Sequence, residues 1–274
     1  QEIYLQHYSV SRLRPRAERR RRADAHDDLW RSLQCTFVMM CDGQPALGLQ
    51  PLSGGLFKPD SCPDLDAAQL CNDSLLTAMR GLSLVTVRGV VQRVNYRDLN
   101  VEELGSVYES LLDLHPALRI NGGQQAHFEL IGGSERKTTG SYYTPSELVI
   151  ELLKSALDPV IARALSSGRT PAEKRRNLLG LKLCDPAAGS GHFLLAAARR
   201  VGREVARLDA GETEPDIATL RLAVREVITH CIYGVDLNPL AVDLCRLALW
   251  IEGHLPGRPL TFLDHRIKRG NSLV

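Results

Sequence analysis

The second half of the chain is predicted to fold as an open α/β sheet, and three stretches predict it. Leu181 to Asp185 reads as a short apolar strand with an acidic residue at its carboxyl end. A Gly189-Ser190-Gly191 turn follows, then an Ala-rich helix from Leu194 to about Leu208. Cys231 to Asp236 repeats the theme, a second apolar strand closed by a carboxylate, and Asn238-Pro239 then starts a helix through Trp250. In open α/β sheets, ligands sit outside the carboxyl ends of the strands, where the chain turns into a helix. The glycines give that turn backbone freedom and let a ligand approach closely, and the helix N-terminus offers N–H groups. The Gly-x-Gly turn lacks the Gly-Lys-Ser/Thr of a phosphate-binding loop. It also lacks the third Gly of the dinucleotide fingerprint, because Leu194 stands at that position.

Composition sets the frame. The 274 residues suffice for one large domain or two small ones, and 44% hydrophobic with 24% charged residues is ordinary for a globular protein. A net charge of +2 demands no nucleic-acid partner. Seven Arg between Arg12 and Arg22 form a basic run, which reads either as a phosphate contact or as a solvated helix face. Seven Cys without a Cys-x-x-Cys pair argue for reduced thiols and against a zinc site. No apolar run approaches the ~20 residues that span a bilayer. Gln1-Glu2-Ile3-Tyr4 resembles neither a signal peptide nor a natural start. A cytoplasmic protein is expected.

Residues 1–134 are expected to be mainly helical. Asp27 to Met40 places Leu29, Trp30, Leu33 and Phe37 on one stripe, and Leu65 to Leu82 does the same with Leu75, Leu76, Met79 and Leu82. Gly43 to Pro63 reads as loop. Asn100 and Glu103 form a capping box for a helix over Val101 to Leu114. Gly132-Gly133-Ser134 is a linker, so the domain boundary is expected between 134 and 135. Thr144 is expected to cap a helix beginning at Pro145, with Glu147 completing the box and Leu148, Leu152 and Ala156 as its buried stripe. Ser166 to Asn177 reads as a polar surface connection. Asp216 caps a further helix whose face carries Ile217, Leu220, Val224 and Val227. Leu240, Leu244, Leu247 and Ile251 recur at helical spacing in the next.

An acidic residue closing the second strand suits a nucleoside ligand, since one carboxylate can accept from two ribose hydroxyls. Asp236 follows Gly191 by 45 residues because an extra helix intervenes. These residues carry a resemblance. Asp185-Pro186-Ala187-Ala188-Gly189-Ser190-Gly191-His192-Phe193 closely resembles the S-adenosylmethionine motif of the amino-group DNA methyltransferases. Gly140-Ser141-Tyr142-Tyr143-Thr144-Pro145 resembles the segment that lies against the methionine part of the cofactor in the adenine methyltransferases. Gly234 to Pro239 resembles the family's ribose-binding motif. Val94 to Leu112 looks like the helical segment preceding the methylase domain in single-chain restriction–modification and phage-exclusion enzymes.

The resemblance implies a Rossmann-like, S-adenosylmethionine-dependent methyltransferase fold, of which residues 135–274 are the cofactor-binding half. It implies cofactor contacts from Tyr143, Thr144, Pro145, Asp185, Ala187, Gly189, Gly191, Phe193, Asp236 and Leu237. Gly270-Asn271-Ser272-Leu273 looks like the approach to the third strand, where Asn271 takes the place of the family's Asp near the adenine amino group. The family's catalytic Asn/Asp-Pro-Pro-Tyr/Phe motif does not occur in the sequence, so no catalytic residue and no metal ligand is assigned. The implied function is a part of a bacterial or archaeal site-specific DNA adenine-N6 methyltransferase in restriction–modification or antiviral defence. It would act on double-stranded DNA through a longer protein, with other defence subunits as possible partners, and this chain alone is expected to be inactive. A protein or RNA methyltransferase, or a non-catalytic cofactor- or DNA-binding module, is the alternative.

Overall fold

A computed structural model describes residues 2–19, 24–49, 51, 57, 62–96, 103, 105, 107, 114–120, 126–132, 144–255 and 263–273. The chain divides into two compact units, Gln1–Leu99 and Asn100–Val274, whereas the linker composition places the boundary at 134/135. The capping box at Asn100, most of the Val94–Leu112 segment and the linker beyond Gly132 lie outside the described residues.

The first unit contains helices α1 (Glu2–His7), α2 (Leu13–Glu18), α3 (Asp28–Asp42), α4 (Pro63–Ala67) and α5 (Asn72–Ser83), then the hairpin β1 (Leu84–Val87) and β2 (Val90–Arg93). Its core is Leu13, Leu29, Trp30, Leu33 and Leu75, so the α3 stripe packs as its spacing predicts. Leu82 does not join it and is 59% exposed. The single helix expected over Leu65 to Leu82 is broken in two. Between its halves the Ala68 carbonyl accepts from Trp30 Nε1 at 2.8 Å, and buried Asn72 accepts from the Leu29 N–H at 3.2 Å. The hairpin was not foreseen; Arg88 and Gly89, both at positive φ, make its two-residue turn. The basic run is partly structural, because Arg12 donates to Ser32 Oγ and Arg14 to the Val94 carbonyl, both at 2.5 Å.

In the second unit the described residues Glu103, Gly105 and Val107 are helical, within the helix expected over Val101 to Leu114, and Leu114 itself begins an antiparallel hairpin, β3 (Leu114–Ile120) and β4 (Ala126–Gly132). Helix α6 (Ser146–Leu152) passes through a π turn, Leu153–Leu157, into α7 (Asp158–Ser167). Its buried line is Val149, Leu157 and Ile161, with Leu153 packed beside them, while Leu148 and Leu152 are exposed, the reverse of the expected stripe. The π turn is the reason. Val149 and Ile161 stand 12 residues apart. A straight α-helix would rotate them about 120° out of line, and one residue absorbed in a wider turn leaves about 20°.

Helix α8 (Pro171–Leu179) replaces the expected surface connection. Thr170 and Glu173 form its capping box, a signal legible in Thr170-Pro171-Ala172-Glu173. Then come β5 (Leu183–Asp185), α9 (His192–Ala210), α10 (Ile217–Cys231), β6 (Ile232–Asp236), α11 (Pro239–Gly253) and β7 (Ile267–Arg269). The three strands form a parallel sheet in the order β5-β6-β7. Parallel neighbours need crossover connections, which α9 with α10 and then α11 provide. Helices α9 and α11 pack against the sheet, and Leu194, Val201, Cys245, Leu249, Ile232 and Ile267 are buried in that core. Helix α11 turns its small side of Ala241, Val242, Cys245, Ala248 and Leu249 inward. Of the larger residues expected to be buried there, Leu240 at 56% and Ile251 at 44% are exposed, and Leu244 and Leu247 are half-buried. Only small side chains let α11 approach the turn between β5 and α9.

Candidate functional site

The carboxyl ends of β5 and β6 lie side by side, since Asp185 pairs in register with Gly234 and both strands run the same way. The turn after β5 is therefore built against the end of β6. The Ala188 N–H donates to the Val235 carbonyl at 2.9 Å, and the Gly189 N–H donates to Asp236 Oδ2 at 2.8 Å. The other oxygen of Asp236 accepts from the Asn238 N–H at 2.9 Å. One carboxylate thus fastens the turn after β5 and the turn after β6. Asp185 Oδ1 accepts from the Ala187 N–H at 3.0 Å, and burial, reinforced by the charge of Asp236, pushes its carboxyl above the usual range.

The glycines have separate reasons. Gly189 (φ +52°) and Gly191 (φ +89°) are both left-handed, where a Cβ is disfavoured. At Gly189 an added Cβ would meet nothing within 4 Å. At Gly191 it would stand 2.8 Å from Cys245 Sγ and 3.4 Å from Cys245 Cα. Gly191 is the N-cap of α9 and closes against Ala188 through a 2.8 Å N–H to carbonyl bond. The position its missing Cβ would occupy faces Cys245 of α11. Burial, with Asp185 and Asp236 nearby, pushes the Cys245 thiol up to about 12, so it packs as an uncharged small group.

The other expected residues distribute as follows. Ala187 is exposed in the turn, Phe193 is half-buried in the first turn of α9, and Leu237 is 60% exposed just past Asp236. Asn271 follows β7, whose end is tied to β6 by the Gly270 N–H donating to the Asp236 carbonyl at 2.9 Å. The Asn271 side chain accepts from the Leu273 N–H at 3.0 Å. Tyr143 lies outside the described residues. Thr144 is half-buried and Pro145 exposed; Pro145 is itself the N-cap of α6, so Thr144 does not cap and the expected box with Glu147 is absent. Helix α6 packs on α9.

Two residues were missed in sequence. Cys245 carries no pattern that would single it out. Neither does Gly105, where an added Cβ would lie 2.7 Å from Ser190 Oγ, so that this helical residue abuts the Gly-Ser-Gly turn. Among the described residues no cluster of His, Cys, Asp or Glu could hold a metal ion, and no helix is long and apolar enough to cross a membrane.

Residues 130–255 match the family model described as N-6 DNA methylase. A putative type II restriction enzyme and methyltransferase of Methanocaldococcus jannaschii is 24% identical over 267 residues, covering 81% of this chain and 21% of that protein. The adenine-specific methyltransferase PglX of Streptomyces coelicolor is 32% identical over 124 residues, 45% of this chain and 9% of PglX. Among solved structures, the type IIL restriction-modification enzyme MmeI in complex with DNA matches with a TM-score of 0.54 at 17% identity. That match covers 91% of this chain and 31% of the MmeI chain, a likeness of fold. The chain spans less than a third of the length of each of these proteins. The residues that match the N-6 DNA methylase model, 130–255, contain the strand ends and the glycine turn of the site described above.

Proposed function

We propose that this chain is the S-adenosylmethionine-binding part of a site-specific DNA methyltransferase acting on N6 of adenine, in a restriction–modification or phage-defence system. The observation that carries the reading is the Asp236 carboxylate holding the Gly189 turn at the joined ends of two parallel strands. The three-stranded sheet is read as the cofactor half of a Rossmann-like domain, working in the cytoplasm on double-stranded DNA as part of a longer protein.

The residues present fit the cofactor on chemical grounds. Asp185 and Asp236 lie close enough for the charge of one to raise the other, and the described turn offers no lysine or arginine. Two carboxylates repel a phosphate-bearing ligand and suit a nucleoside with hydroxyl donors and a positive charge. An ionised carboxylate has about four acceptor sites, and the backbone occupies two of those on Asp236, which leaves capacity for ribose hydroxyls. When bound, S-adenosylmethionine supplies an activated methyl group on its sulfonium. The chain's part is to bind and orient. Asp236 and the Gly189–Gly191 turn are to fix the nucleoside, with Leu237 as an exposed apolar surface beside it and Thr144 and Pro145, just before α6, as further contacts. The acceptors that would take the hydrogens of the adenine amino group are not among the sequence motifs of this chain, so it is expected to bind cofactor without transferring methyl by itself.

Calorimetric titration tests the binding. S-adenosylmethionine and S-adenosylhomocysteine should bind and ATP should not; ATP binding as well as they do would refute the electrostatic argument. Tritiated-methyl transfer to duplex DNA, RNA and protein acceptors by a longer product of the gene tests the rest. Transfer to protein or RNA alone would refute the DNA reading.

A further inference from the structure

We propose that a groove between α9 and α10, at the end of the sheet away from the glycine turn, docks an acidic amphipathic protein segment. The apolar face expected of α10 begins at Ile217, yet Ile217 is 73% exposed, and Leu220 beside it is half-buried. These residues line a groove of about 270 Å³ together with Arg199, Arg203, Arg221 and Glu252. Arg199 is clamped by Glu252 through two hydrogen bonds of 2.8 Å and forms a fixed wall. Arg203 and Arg221 are exposed, and among the described residues neither has an acidic partner. Two uncompensated guanidinium groups therefore flank an exposed aliphatic floor. Charge complementarity calls for carboxylates, and the floor calls for an aliphatic side chain between them.

The volume lies below the ~300–1,000 Å³ of small-molecule sites, which favours a side-chain anchor over a cofactor-sized ligand. A helix presenting Glu, Leu and Glu at one-turn spacing meets both requirements. A DNA backbone would satisfy the arginines and leave Ile217 facing water. Arg203 also lies 11 residues along α9 from His192, about 16 Å down the axis from the cofactor turn. A segment docked here would leave the substrate side open.

The test uses the whole chain and labelled Ala-based helical peptides in fluorescence anisotropy. One peptide carries Leu with Glu one turn before and one turn after; the controls replace Glu by Gln, Glu by Lys, or Leu by Ala. The Glu/Leu peptide should bind saturably, and the controls at least ~10-fold more weakly. The double variant R203E/R221E should lose that binding and gain affinity for the Lys/Leu peptide, while I217S should weaken both. All three positions are exposed, so circular dichroism should show an unchanged fold. Failure of the Glu/Leu peptide to bind would overturn the proposal, and so would indifference to R203E/R221E or to I217S. Equal binding of the Leu-to-Ala peptide would reduce the site to counter-ion attraction and overturn it too. Duplex DNA binding that falls in R203E/R221E while peptide affinity stays put would reassign the surface to nucleic acid.

Discussion

Replacing Gly191 by Ala separates two costs that the turn combines. Any Cβ at φ +89° adopts the left-handed region, which costs roughly 1–2 kcal/mol for a residue other than Gly. The same Cβ would sit 2.8 Å from Cys245 Sγ, and overpacking of this kind costs typically about 1–3 kcal/mol. The two together place Gly191→Ala at about 2–5 kcal/mol of lost stability. Gly189→Ala is the internal control. Its φ of +52° carries the conformational cost, but the added Cβ meets nothing, so only about 1–2 kcal/mol is expected. Adding Cys245→Ala to Gly191→Ala should recover part of the difference, because the sulfur goes while Cα and Cβ at 3.4 and 3.5 Å remain. Urea unfolding of the unaltered chain, Gly191→Ala, Cys245→Ala and the double variant, followed by circular dichroism, completes a double-mutant cycle, with Gly189→Ala measured beside it. Equal losses at Gly189 and Gly191, or zero coupling between Gly191 and Cys245, would refute the claim that α11 packing dictates this glycine. The cycle also bears on binding. In Gly191→Ala, cofactor affinity should fall because the turn shifts, and Cys245→Ala should restore part of it.

Further outcomes follow from the same geometry. Asp236→Ala removes the acceptor for two backbone N–H groups, each worth roughly 1.5–3 kcal/mol when the partner is charged. It should therefore lower the melting temperature as well as calorimetric affinity; weakened binding at unchanged stability would contradict the bracing role. The Asp185 carboxyl is raised by burial, so its contribution to stability is full below its unfolded value and is lost as pH rises through its folded value. Asp185→Asn should consequently stabilise the ligand-free chain at neutral pH and flatten that part of the pH profile, which a melting series across mildly acidic pH would detect. Deleting Ser155 removes the extra residue of the π turn and leaves Val149 and Ile161 in line, so near-native far-ultraviolet dichroism is expected. A collapse of the fold would show that the π turn does more than correct phase. Gly105→Ala meets a side chain that can rotate away, so its stability cost should be under about 1 kcal/mol even though Ser190 must move.

Local chemistry alone announced the strand–turn–helix units at Leu183 and Ile232, because a carboxylate, a glycine turn and a helix cap sit within a few residues of one another. The Asp216 and Asn238 caps formed for the same reason: each side chain accepts from a backbone N–H two or three residues ahead. The capping box at Thr170 is equally local, but the polar composition around it masks the helix. Hairpins β1–β2 and β3–β4 have no such local signal: their valines, leucines and Phe128 are largely exposed, and their partners are fixed only by pairing.

Which apolar stripe turned inward was a different kind of question. Helices α6 and α11 each carry two stripes, and periodicity ranks them by size, so Leu148 and Leu240 looked buried. Close packing against a sheet and a glycine turn selected the smaller ones, Val149 and the Ala241–Leu249 side. The sequence by itself determined the site's chemical vocabulary, its two carboxylates, its turn glycines and its family motifs, since each is written in consecutive residues. Only the tertiary structure decided that Asp236 braces the Gly189 turn, that Cys245 closes on Gly191, and that Ile217 is left outside. Those facts depend on distances between residues far apart in the chain, and a one-dimensional pattern contains no such distances.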